Sequence, residues 1–292
     1  MPAVALRALR RDLARWAQQP PPAIPQWAEE IAGFFQRYAN LVYRPGEQVT
    51  DLAPAYHSPP ILTLELWRAL QHRLPPKAEE RLALSEALWA LERREPRVLA
   101  ARVLGTLPAS AGEAVFVRFW PWLQDARWDA TVERALLHHA AQPLLAEGRL
   151  LERLEPFLPP QTESTQAARA LLALRLLPQH EGFDNTPALF RALHSGLVHL
   201  DPELKPEWAM LLRAIVDRWP AEAVPFLRRV RAITRDEKTM DWILRRLAET
   251  APPNWRSRIT ALIQTYQPTP SGRAAAASKP RTDDGKDASY AA

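Results

Sequence analysis

From residue 60 onward the chain repeats one pattern. Apolar residues recur at helical spacing for about 12–17 residues, then a turn carrying proline interrupts them. Leu62, Leu66 and Leu70 mark one such stretch, and Leu84, Leu88 and Leu91 the next. Ala100, Val103, Leu104 and Leu107 mark a third, opened by Pro96, whose fixed φ suits a first helical turn. Further helices are predicted near 130–142, 144–155, 163–177, 187–200, 206–219, 221–234, 237–249 and 253–266. Alternating apolar runs are missing and β-branched residues are sparse, so no strand is predicted. The chain is read as all-α.

A helix pair with its turns takes roughly 30–45 residues, the period of HEAT-type repeats. One pair cannot bury its apolar face alone, and stacking on neighbours solves this. The expected architecture over 60–266 is a right-handed α-α superhelix, a HEAT-like repeat solenoid with degenerate repeats. A globular helical bundle satisfies the same periodicities. Residues 1–59 are read as two N-terminal helices (4–18 and 25–40) and a turn-rich loop over 43–59. Residues 267–292 carry almost no large apolar side chain and are expected to be a disordered tail.

Cysteine is absent, which excludes disulfides and thiolate metal sites and suits a reducing compartment. No segment approaches the roughly 18 uninterrupted apolar residues of a membrane span, so a cytoplasmic protein with no membrane partner is expected. Nine glycines, with no Gly-rich phosphate loop, argue against nucleotide binding. His138 and His139 diverge around a helix, and His194 and His199 are five apart, so neither pair has ligand spacing. Neither metal nor cofactor is expected.

The formal net charge is +5, carried almost wholly by arginine. Residues 205–266 hold twelve basic against seven acidic side chains, making this third the candidate surface for a polyanion. Its densest cluster is Arg228, Arg229, Arg231 and Arg235. Arg228, Arg231 and Arg235 are assigned to one helical face, where they would meet phosphates or simply face solvent.

A second concentration is Phe119–Glu133, with three tryptophans, two aspartates, arginine and glutamate around one expected helix start. Its segment Arg127-Trp128-Asp129-Ala130-Thr131-Val132-Glu133 resembles the tryptophan–aspartate segment of the HEAT-like DNA alkylation repair proteins, the AlkD-type DNA glycosylases. Two other stretches carry the same resemblance. In Leu88-Trp89 through Ala101, Glu95 follows the tryptophan by six residues and Ala100 follows by five more. Ala168-Arg169-Ala170-Leu171-Leu172, with Leu212-Arg213, Pro220 and Phe226-Leu227, is similar to the family's Arg-x-Ala-Ile-Leu helix and the segment after it. The resemblance covers roughly 80–270.

The resemblance implies an arginine-lined groove gripping duplex DNA, alkylated or not, and an N-alkylpurine DNA glycosylase or a non-catalytic relative. Trp128, Arg169, Trp208, Arg213, Arg228, Arg231 and Arg235 would contact DNA or lesion. Asp129 and Glu133 would supply negative charge to the cationic base and to the sugar as the glycosidic bond breaks. Glu133 lies five residues after Trp128 where the family places its second acid at four, a rotation of about 100° on a helix.

Each residue has a plainer role beside this one. Trp128 fits a helix–helix junction as well as a lesion platform. Asp129 fits an N-cap, and Glu133 a helix first turn. Arg169 fits a phosphate or a carboxylate of the next repeat. The alternative function is a HEAT-type scaffold that binds an acidic protein partner without catalysis.

Overall fold

A computed structural model describes residues 6–38, 54–126, 129–160 and 162–264. All regular secondary structure among them is helical, as the periodicity predicts. In order these are α1 (Leu6–Ala17), α2 (Ile24–Tyr38), α3 (Pro60–Gln71), α4 (Ala78–Trp89), α5 (Arg94–Leu104) and α6 (Gly112–Asp125). After them come α7 (Ala130–Ala135), α8 (Gln142–Glu147), α9 (Leu150–Leu154), α10 (Ser164–Leu174) and α11 (Thr186–Val198). The last four are α12 (Lys205–Arg218), α13 (Pro220–Arg231), α14 (Glu237–Thr250) and α15 (Pro253–Gln264). Residues 39–53, Trp128 and the 267–292 tail lie outside the described residues.

Helix α1 shows how the elements arise. Leu9, Leu13 and Trp16 fall on one stripe and are buried, while its arginines stay outside. The Trp16 indole N–H donates to Glu30 of α2 at 2.9 Å, and the Arg73 guanidinium stacks on the Trp16 ring at 4.1 Å. Prolines open α3, α13 and α15, where a missing N–H costs nothing.

Helices pack on the next but one. α1 lies on α3, α3 on α5, α5 on α7, and α2 on α4. Toward the C-terminus α10 lies on α12 and α12 on α14, while α11 lies on α13 and α13 on α15. Within pairs, α4 packs on α5, α12 on α13 and α14 on α15. One apolar core runs through all of these, from Leu9 to Ile263.

The middle of the chain differs from its sequence reading. Phe119–Asp125 forms the end of α6, which continues through Pro121, and the expected helix start falls after it, at α7. The predicted 130–142 helix is interrupted by a π-helical turn, Leu136–Ala140. The predicted 144–155 helix divides at Gly148, whose φ of 79° ends α8 in a left-handed conformation that glycine adopts without a Cβ penalty. Among the described residues no helix is long and apolar enough to cross a membrane, and no group of three metal-ligating side chains is assembled.

Candidate nucleic-acid interface

Asp129 is 5% exposed and caps α7. Its Oδ1 accepts from the backbone N–H groups of Thr131 at 2.9 Å and Val132 at 3.1 Å. Its Oδ2 accepts from Nε of Arg94, the first residue of α5, at 2.8 Å. Of the two roles open to Asp129, the structure builds the cap, and both oxygens are engaged. Glu133, one turn later, forms an ion pair with Arg169 of α10. Arg169 thus meets the carboxylate of a neighbouring element, and that carboxylate offsets its charge.

The aromatics around them serve packing. Trp122 of α6 stacks on Trp89 of α4 with centroids 4.3 Å apart, and Trp120 meets Phe157 at 4.4 Å. Arg97 covers Trp89 from 4.6 Å and pairs with Asp125 at 3.0 Å.

Trp208 is corrected as a lesion contact. It is 0% exposed, inside the packing of α12, and a Cβ added at Gly196 of α11 would sit 2.8 Å from its Cζ2. It could reach a nucleotide only by leaving the core. Arg231 is likewise corrected. It is 2% exposed, and its Nη2 lies 3.0 Å from Asp241 and 3.8 Å from Glu237, both on α14. It ties α13 to α14 rather than facing phosphate. The face assigned to Arg228, Arg231 and Arg235 is not formed either. α13 ends at Arg231, and Arg235 lies in the following turn, its backbone N–H donating to the Val198 carbonyl. Arg228 and Arg235 are exposed.

The basic surface gathers elsewhere. A groove of about 590 Å³ opens between α12 and α14, with Arg175 after α10 at its edge. Arg213 lines it from α12, and Arg245 and Arg246 line it from α14. Two large apolar side chains stand among them, Met210 at 41% exposed and Trp242 at 43%. Nη1 of Arg175 lies 3.5 Å from the Met210 sulfur.

The groove's positive charge is only partly offset. Arg213 pairs with Asp217 at 2.6 Å and Arg246 with Glu249 at 2.9 Å. Both are same-helix pairs at the surface, held weakly enough for a phosphate to replace the carboxylate. Arg175 and Arg245 have no carboxylate within ion-pair distance among the described residues. The arrangement presents guanidinium forks around an aromatic plane, a combination suited to phosphate oxygens flanking a base.

Of the residues that the resemblance singles out, the groove contains Arg213, while Arg245 and Arg246 come from the basic C-terminal third. Arg175 and Trp242 belong to none of the motifs. The signal for Trp242 was available: the buried stripe of α14 is Met240, Ile243, Leu244 and Leu247, and residue 242 falls off it. A tryptophan outside its helix's apolar stripe must face solvent or a partner.

Comparison of the chain with protein-family models, with curated proteins and with solved structures finds no match.

Proposed function

We propose that this chain is a HEAT-like α-α superhelical protein that binds the phosphate backbone of duplex DNA along the α12–α14 groove. It is a non-catalytic counterpart of the alkylation-repair type. The packing of α10, α12 and α14 in one row and α11, α13 and α15 in another supports the repeat architecture. The observation that carries the binding reading is the convergence of Arg175, Arg213, Arg245 and Arg246 around exposed Trp242. The commitment of Asp129 to Arg94 and of Glu133 to Arg169 supports the non-catalytic branch, because neither carboxylate is left to offset a developing cation.

Fluorescence anisotropy with a labelled duplex tests this. Four phosphate contacts give a log–log salt slope of about −3.6, so affinity should fall about 10²-fold between 50 and 200 mM salt. Replacing Arg245 and Arg246 together by alanine should flatten the slope by about 2. Salt-insensitive binding, or a slope unchanged in that variant, overturns the assignment. Incubation with duplex containing 7-methylguanine should release no base.

A second reading rests on the same two apolar side chains. Exposed tryptophan and methionine amid arginines also compose the centre of protein–protein interfaces. An acidic protein partner would bind with little of the salt slope expected of DNA, and duplex would not compete for the site.

A further inference from the structure

A second pocket lies far along the chain from the groove residues, where the loop before α3 meets α5 and the start of α7. Its volume is about 300 Å³, room for about ten water-sized groups. His57, Ser58, Thr63, Arg94, Arg102 and Thr131 supply its polar lining, with Pro60, Leu64 and Val98 as apolar wall.

Arg102 is the anomaly. Its side chain is partly buried on α5, its Nε is enclosed without a hydrogen-bond partner, and no carboxylate meets it among the described residues. Its one attractive contact there is the Trp67 ring, 5.7 Å from the guanidinium carbon. Burial lowers its pKa, and no neighbouring charge opposes that shift. An enclosed guanidinium N–H without an acceptor costs free energy in the empty fold, and a bound acceptor would recover it.

The carboxylates nearby are already occupied. Glu95, which also lines the pocket, accepts from the Tyr56 N–H at 2.9 Å, the Ser58 N–H at 3.0 Å and the Ser58 hydroxyl at 3.3 Å. Asp129 is engaged by Arg94 and the α7 cap. The three bonds to Glu95 also clamp the loop about His57, which has a left-handed φ of 52°, a conformation a non-glycine residue rarely holds without such support. Clamped this way, the loop closes one side of a concavity in which the Glu95 carboxylate is held by the loop's own donors, the Arg102 guanidinium meets no carboxylate among the described residues, and the Thr63 and Thr131 hydroxyls can donate.

We infer that this pocket binds a small organic oxyanion, a phosphate monoester or a carboxylate, whose head group is held by the Arg102 guanidinium and the Thr63 and Thr131 hydroxyls. The apolar wall of Leu64 and Val98 takes the body of the ligand. The site is independent of the DNA-binding reading.

Calorimetric titration of the full chain at constant ionic strength, with phenyl phosphate and separately benzoate as probes, tests this. Saturable one-to-one binding of at least one probe is expected. Arg102→Met should weaken it at least tenfold without lowering the Tm of the unliganded protein, because the enclosed, unpartnered Nε is removed. Should Arg102→Met fail to fold, Thr63→Val should weaken binding severalfold without loss of structure. Arg245→Ala with Arg246→Ala should leave binding unchanged, which separates this site from the groove. Absence of saturable binding with both probes overturns the inference, as does equal binding by wild type and the Arg102 and Thr63 variants.

Discussion

Nε of Arg94 donates to Oδ2 of Asp129 at 2.8 Å, while the other oxygen of that carboxylate caps α7. One aspartate therefore joins the start of α5 to the start of α7. Both side chains are nearly inaccessible, so losing either leaves the other's charge buried.

This relationship separates a structural from a chemical role for Asp129. Asp129→Asn keeps a capping oxygen but loses the charge, and should destabilise by about 1–2 kcal/mol; Asp129→Ala loses cap and pair and should cost about 2–4 kcal/mol. Urea unfolding measures both. An aspartate lining a DNA groove would behave otherwise: its asparagine variant would keep wild-type stability and bind duplex more tightly.

Glu133 and Arg169 sit at a partly exposed junction, so their coupling should be small. A double-mutant cycle with Glu133→Gln and Arg169→Gln should give about 0.5–1 kcal/mol of interaction energy in chemical denaturation. A coupling indistinguishable from zero would mean that the pair does not persist in solution.

The contact between Gly196 and Trp208 predicts a larger effect. A methyl group at residue 196 would lie 2.8 Å from the Trp208 ring and 2.9 Å from the Pro159 carbonyl oxygen. The backbone oxygen cannot swing aside, so Gly196→Ala should cost about 1–3 kcal/mol and alter the near-ultraviolet circular dichroism of the buried indole. DNA affinity of the folded fraction should be unchanged, since neither residue lines the groove.

His139, in the π-helical turn, has its pKa lowered to about 4 by burial, then by Arg102 and then by His138. Its unfolded value is near 6.5. Between these values the unfolded chain binds the proton and the folded chain resists it, so stability is full above about pH 6.5 and falls as pH drops toward 4. Partial exposure discounts the effect to roughly 1–2 kcal/mol. His139→Gln should flatten the Tm–pH profile across that window; an unchanged profile would show that another group causes the loss.

The N- and C-terminal helices were legible because each buries a stripe set by the 3.6-residue period: Leu9, Leu13 and Trp16, or Met240, Ile243, Leu244 and Leu247. The middle was not. There α6 carries Pro121 in its interior, at the solvent side, where its missing bond can be tolerated. The site was harder still. A motif containing Trp, Asp, Glu and Arg specifies side-chain chemistry, and a cap, an interhelical ion pair and a catalytic acid all use the same groups.

The all-helical secondary structure, most helix positions and the basic bias of the C-terminal third can be read from the residues in order. That Asp129 would meet Arg94, 35 residues away, and that Glu133 would meet Arg169, 36 residues away, came from the packing of the helices alone. Helical periodicity is local, fixing which side chains share a stripe. Charge partners and exposure depend on where separate helices cross, and that follows from packing over the whole chain.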